Sequence, residues 1–478
     1  MATVDLEEDE SGPAPRAEVR SPRRIVIMLA SVGVVVLALM FGQRTIDARH
    51  RAEVAALATV PGVVAPLDEH LEVTRRISGE DVDTAFGPNG SVEHARDGSQ
   101  RYVWRAQGGA PLWSTPLMGA RPALAGLADM YTGTSCIPEG QQSYIGYWDL
   151  SDVRRLVCLV SDGGVSFTED ETVEVPARTV GVMVLATADG AIEHQWSLAH
   201  GEGITVVPGV AVVQWTDGND VFVEGHDLRT GALRWTHRIR GTEVPSAGFA
   251  SGNIGTAGRL VTVDGVDGRF VVLSPDGEVV IDVSPSPQRG FVERSVDAAG
   301  RIFVYGLGGK MRGATTLVAP DGNPAHNVAV DGVVVPASVD DGSAGDLFLT
   351  GSDGLEAWDG ATGERRWKAD VSTSSVLVLA GRIYAVTGDG VVSLDVGSGE
   401  EVWHASVEDA SSYSGLFTDG QHVLVEKSDG GLGLIALDRE TGEVRFRAPY
   451  PKDVRALFPV GHSLVGHVDS SGGYLVVE

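Results

Sequence analysis

The chain has 478 residues, 62 of them glycine, with 43% hydrophobic and only 6% aromatic residues. Its formal charge of -28 excludes a nucleic-acid binder, since phosphate recognition needs clustered basic groups and Lys310, Lys368, Lys427 and Lys452 lie far apart. Two cysteines, Cys136 and Cys158, without Cys-x-x-Cys spacing or an accompanying His cluster, exclude a cysteine-rich metal module.

Residues 1–24 are rich in Asp, Glu, Ser and Pro and too poor in apolar side chains to fold, which predicts a disordered cytoplasmic tail. Ile25 to Phe41 reads IVIMLASVGVVVLALMF, uncharged, with Ser31 its one polar residue. At 1.5 Å per residue this run spans roughly 26 Å, and Gly42 extends it toward the thickness of a bilayer core. A buried core helix would keep a polar face. A cleaved signal peptide would offer a small-x-small site, and Met40-Phe41-Gly42-Gln43-Arg44 offers none. The segment 25–42 therefore reads as an uncleaved transmembrane helix. Arg16, Arg20, Arg23 and Arg24 precede it and Arg44, Arg49 and Arg51 follow. That slight bias, with no second apolar segment downstream, places the N-terminus in the cytoplasm and the remainder outside it. The expectation is a single-pass cell-membrane protein. Residues 43–65 keep strong helix formers until Pro61-Gly62 and read as a juxtamembrane stalk.

From residue 66 to 478 the helical period gives way to short alternating runs punctuated by Asp-Gly pairs, at Asp189-Gly190, Asp217-Gly218, Asp276-Gly277, Asp321-Gly322, Asp389-Gly390 and Asp429-Gly430. Such pairs permit the positive φ of tight hairpins. A longer pattern recurs through this region. Asp359, Gly363 and Trp367 stand in Ala-Trp-Asp-Gly-Ala-Thr-Gly-Glu-Arg-Arg-Trp; Asp395, Gly399 and Trp403, then Asp438, Gly442 and Phe446, then Asp227, Gly231 and Trp235 repeat the spacing. The last three glycines fall 36 and 43 residues apart. Weaker copies follow at Gly277 and Gly322, and two more upstream pair Gly190 with Trp196 and Gly109 with Trp113. A fixed period of this length with strand content predicts a propeller with four strands per blade. The Asp should accept hydrogen bonds from the turn amides, the Gly should take the left-handed conformation, and the Trp should pack against the neighbouring blade. The eight docking glycines set the expected count at about eight blades. Val454 to Glu478 has strands but no docking turn, and should complete a blade whose outer strand comes from the N-terminal side.

Ala-x-Asp-x-x-Thr-Gly-x-x-x-Trp, matched at every specified position by residues 357–367, resembles the tryptophan-docking repeat of pyrroloquinoline quinone (PQQ)-like β-propellers. The resemblance covers 66–478, strongest over the last 130 residues. It implies an all-β propeller and says little about cofactor use, because the motif packs blades together. A quinone dehydrogenase of that family would be expected to carry adjacent cysteines, a calcium-binding Glu/Asn/Asp set and a catalytic Asp. This chain has no adjacent cysteines and no recognisable active-site insertion.

No nucleophile elbow, zinc-protease, P-loop or dinucleotide fingerprint occurs. Asp217-Gly218-Asn219-Asp220 and Asp264 to Gly268 read as turns rather than calcium loops. Asn89-Gly90-Ser91 fits a glycosylation sequon and, equally, a hairpin turn. His226, His404 and His422 read as surface residues. Residues 119–145 exceed the repeat period and read as an inserted loop carrying Cys136, with Cys158 on a strand; an oxidising compartment would let the two form a bridge stapling the loop to its blade. The expectation is a non-catalytic binding or scaffolding module for envelope proteins or ligands, with no cofactor, metal or nucleic acid. The alternative is an enzyme, such as a quinone-dependent oxidoreductase, with its site in the propeller channel.

Overall fold

Apolar runs of four to eight residues, each stopped by a glycine-containing turn, are too short to bury a helical face and must find strand partners instead. In a computed structural model they do so almost throughout. The structure describes residues 51–78, 84–125, 130–140, 150, 152–167, 172–241, 253–284, 291–297, 300–307, 313–407, 415–427, 432–468 and 473–477. The expected tail 1–24, the apolar segment 25–42 and the start of the 43–65 stretch lie outside them. The chain divides into a unit ending at Ala56 and a unit from Leu57 to Glu478. In the first, residues 51–56 are helical. Among the described residues no helix is long and apolar enough to cross a membrane.

The second unit is all-β. Its described strands form ten sheets. Nine follow one another along the chain: sheet 1 (89–118), sheet 2 (135–198), sheet 3 (203–239), sheet 4 (254–283), sheet 5 (291–331), sheet 6 (333–369), sheet 7 (376–406), sheet 8 (416–449) and sheet 9 (454–477). Most are four-stranded antiparallel meanders; sheet 1 shows three strands among the described residues. Sheet 9 takes its fourth strand from the other end of the chain. Val73–Ile77 pairs antiparallel with Gly473–Val477, with Ile77 opposite Tyr474. This is the closure expected from the missing docking turn after Val454. The expected count of eight equals the number of docking turns, and the composite sheet brings the described sheets of this kind to nine.

In sheets 3, 7 and 8 the first strand is buried and the last is half exposed, so these sheets run from the inside of the molecule to its rim. Val376–Leu379 is buried along its whole length, whereas Arg365–Ala369 buries chiefly Trp367. Apolar clusters lie between consecutive sheets. Val157, Val182 and Val184 of sheet 2 meet Ile204, Val206 and Val213 of sheet 3, and Val212 and Val223 of sheet 3 meet Val261 and Val271 of sheet 4. Each fully buried Val contributes about 1.5–3 kcal/mol, before the cost of ordering the chain. Sheet 9 meets the segment leading into sheet 1 where Arg75 Nη1 donates to Ala85 O at 2.7 Å, beside a small cluster of Ile77, Ala85 and Val476.

Two segments depart from the meander. Ala337–Asp340 leaves sheet 6 and lies parallel to Val376–Leu379, the first strand of sheet 7. Ser338 Oγ reaches both Val376 O, at 3.2 Å, and Leu416 O, at 3.3 Å, and so sits between the first strands of sheets 7 and 8. The end of the expected stalk lies beside it. Leu57, Val63 and Val64 are buried, Val63 bridges in parallel to Thr418, and Gly62 approaches Val339 and Ser338. Leu57, Val63 and Val64, at the end of the expected 43–65 stretch, therefore pack in the core of the second unit. Inserted strands build the tenth sheet: Met130–Thr132 pairs with Gly164–Phe167, which pairs with Thr172–Val175.

Candidate functional site

In four docking turns the side chains do what the motif requires. Oδ1 of Asp227, Asp359, Asp395 or Asp438 accepts from the amides two and three residues on and from the hydroxyl of Thr230, Thr362, Ser398 or Thr441, all at 2.9–3.1 Å. The amides of Gly231, Gly363, Gly399 and Gly442 donate to the main-chain carbonyl of the same Asp at 2.8 Å, with φ between 69° and 75°. Arg234, Arg366 and Arg445 pair with the second carboxylate oxygen of Asp227, Asp359 and Asp438.

The Arg366 hydrogen bond, helped by Thr362, lowers the Asp359 pKa to about 2, and Arg234 with Thr230 lowers that of Asp227 further. A depressed carboxylate pKa stabilises the fold above the unfolded-state value of about 3.9, and that contribution fades as pH falls through the folded value. The unfolding midpoint of the unmodified chain should therefore lie above that of Asp359→Asn at pH 5. The gap should close as pH drops from about 4 to about 2; a gap that stays constant over that range would contradict the assignment.

Each docking residue except Phe446 packs on the next sheet's turn, which links the sheets in sequence. Trp113 Nε1 donates to Thr187 O at 2.7 Å, Trp235 to Pro275 O at 2.9 Å, Trp367 to Val396 O at 2.9 Å and Trp403 to Arg439 O at 3.1 Å. Trp196 lies against Gly231. In the worn copies valine replaces tryptophan: Val280 approaches Gly322, and Val328 approaches Gly363. Phe446 packs against the cluster shared by sheets 8 and 9. These residues hold blades together and converge on no common point.

Cys136 and Cys158 form a disulfide. They sit directly opposite one another on Ser135–Pro138 and Arg155–Ser161, the first two strands of sheet 2. Cys136 is thus in a regular blade strand rather than an inserted loop, and the bridge ties two neighbouring strands. Protein from its native compartment should resist a thiol label until reduced; labelling of both residues in denatured, unreduced protein would contradict the bridge. Other side chains depart from expectation too. His226 is buried, between Gly231 O and Glu224, because its strand's register turns it inward. Asn89 is buried and Gly90 lies in strand Asn89–His94, which rules out the hairpin turn there. Asp217 and Asp220 do flank a two-residue hairpin. Among the described residues no group of three or more His, Cys, Asp or Glu could hold a metal ion.

The inner edges of sheets 7 and 8 are occupied by the chain itself. Beyond Val63, Val64 N donates to Thr418 O, Ala65 N to His462 O, and Leu67 N to Oδ2 of the buried Asp419, which also accepts from His422 Nδ1 if that nitrogen carries the proton. Open space lies elsewhere, beside the inserted sheet. A cleft of about 620 Å³ runs between Thr132, Gly164, Val165, Glu174 and Val175 on one side and Ala199–Glu202, Trp215 and Thr216 on the other. Trp215 is sandwiched between His200, at 4.4 Å, and Phe222, at 4.1 Å, and Arg238 covers Phe222. Glu202 accepts from Thr216 Oγ1. The base of the insertion is fixed by Asp162. Its Oδ2 pairs with Arg121 at 2.6 Å, and its Oδ1 accepts from the amides of Arg178 and Thr179. Sequence reasoning did not single out these cleft residues. The available signal was Trp215, a tryptophan outside the docking pattern and just before Asp217-Gly218.

The sequence profile described as outer membrane protein assembly factor BamB matches residues 332–453 and 389–470. No curated protein sequence matches the chain. Among solved structures, BamB from Moraxella catarrhalis is 18% identical, over 85% of this chain and 99% of that one, with a TM-score of 0.35. Dihydro-heme d1 dehydrogenase NirN is 14% identical, over 62% and 68%, with a TM-score of 0.36. The sheets, their docking turns and the profile match together support a PQQ-like β-propeller.

Proposed function

We propose that this chain is a membrane-anchored scaffold whose propeller lies outside the cytoplasm, binds a protein partner and carries out no catalysis. The cleft beside the inserted sheet is the observation that carries this reading. It is an open recess on a rigid β-framework, next to an element that the propeller does not need for closure, and such additions to a scaffold are where binding surfaces are mounted. The nine sheets, taken as blades, make a ring closed by Val73–Ile77. Self-occupation of the inner edges at Val63 and Ser338 leaves less room for channel chemistry there. The profile's description, an outer membrane assembly factor, fits a protein that works by holding other envelope proteins. A tether at 25–42 would raise the propeller's effective concentration toward membrane partners.

The test has two arms. In-cell crosslinking should capture an envelope protein, in a form lost when residues 66–478 are deleted. Incubation with pyrroloquinoline quinone and calcium should leave no retained chromophore and no alcohol- or sugar-dependent dye reduction. An empty crosslinking result contradicts the scaffold, and saturable quinone binding with dye reduction establishes the oxidoreductase instead.

A further inference from the structure

The cleft has a chemical character of its own. Of the side chains that line it, Glu174 and Glu202 are acidic and exposed, and His200 is the one basic residue; no Lys or Arg contributes. Its walls are otherwise apolar or small: Val165, Val175, Pro176, Ala177, Val180 and the edge of Trp215. Gly163, Gly164 and Gly201 also line it, and a side chain at Gly163 would meet Ala177, one at Gly201 Leu159, Val180 and Val213. Carboxylates on both walls, one on the inserted sheet and one on the link from sheet 2 to sheet 3, complement positive charge lying between them.

We infer that the cleft docks an extended basic segment of the protein partner, with Lys or Arg side chains set between Glu174 and Glu202 and the intervening apolar residues against Val165, Val175 and Trp215. This rests on the scaffold reading and names the chemistry of its partner. A compact anion would be repelled by both walls. A long chain suits an open trough of this volume. Asp162 fixes the root of the insertion to Arg121, so the wall that carries Glu174 is positioned before binding and little ordering cost falls on it.

The test uses the full-length chain in detergent and a fluorescent decapeptide alternating Lys and Val, with a Glu/Val decapeptide as control; binding is read by anisotropy at low and at 0.5 M salt. The basic peptide should bind, more weakly at high salt, and the acidic one should not. A chain of charge -28 attracts any polycation, so the variants carry the decision. Glu174→Gln with Glu202→Gln removes two charges and keeps hydrogen-bonding groups in place; it should weaken binding at least tenfold. Asp276→Asn with Glu278→Gln removes two exposed charges from the sheet 4 turn, and should change binding less than twofold. Equal loss in both double variants, unchanged binding in the first, or no binding by the unmodified chain overturns the inference. A photo-crosslinker at Thr216 separates the two readings. If the partner is captured elsewhere on the propeller but never from Thr216, the scaffold stands and the cleft assignment falls; if it is captured from no position, the scaffold falls as well.

Discussion

Replacing Trp367 by alanine should cost about 3–5 kcal/mol in an equilibrium unfolding measurement. The ring is buried, 7% exposed, in a cluster with Leu355, Ala357, Val376, Val378 and Val392, at the junction of sheets 6 and 7. Truncation would empty that volume and leave Val396 O without its indole donor. Trp367→Phe separates the two effects. It fills most of the space and lacks the N–H, as Phe446 does at the equivalent place in sheet 8, and it should cost about 1–2 kcal/mol. An unchanged midpoint for the alanine variant would mean that the tryptophan does not dock.

Gly399→Ala should cost about 2–5 kcal/mol, for two reasons that can be told apart. Gly399 has φ +70°, where an L-residue is disfavoured by about 1–2 kcal/mol. An added Cβ would also lie 2.5 Å from Cε3 of Trp367, and overpacking of that kind typically adds about 1–3 kcal/mol. Gly381 supplies the control. Its φ is +75°, but nothing lies within 4 Å of an added Cβ, so Gly381→Ala should show the backbone cost alone. Since Gly399 and Trp367 touch, their substitutions should not add. In a Trp367→Ala background, Gly399→Ala should fall to about the cost seen at Gly381. A Gly399→Ala effect no larger than that of Gly381→Ala in the unmodified chain would remove the close approach on which the docking account depends.

What could be read from the sequence was whatever closes within a dozen residues. Asp359, Thr362, Gly363 and Trp367 lie on one turn and the strand after it, so their spacing carries the whole geometry except the identity of the surface that Trp367 meets. The worn copies were located by glycine alone, since Val280 and Val328 carry no more signal than any strand valine. Distant partners were out of reach. The helix formers before Pro61 are visible locally, but nothing local shows that Val63 will bridge to Thr418, or that Asp419 and His462 will hold the residues after it. The cleft draws on residues between Thr132 and Thr216 that only the inserted sheet brings together. Cys136 was misplaced for a related reason: its strand is only four residues long, within a stretch that exceeded the repeat period.

The Cys136–Cys158 disulfide and the proposed envelope partner both call for a propeller outside the cytoplasm, and one fusion measures this directly. A reporter active only after export, joined after Glu478, should be active in cells, with the full-length fusion recovered from membranes. An inactive reporter in membranes that contain the intact fusion would place the propeller in the cytoplasm and contradict the account.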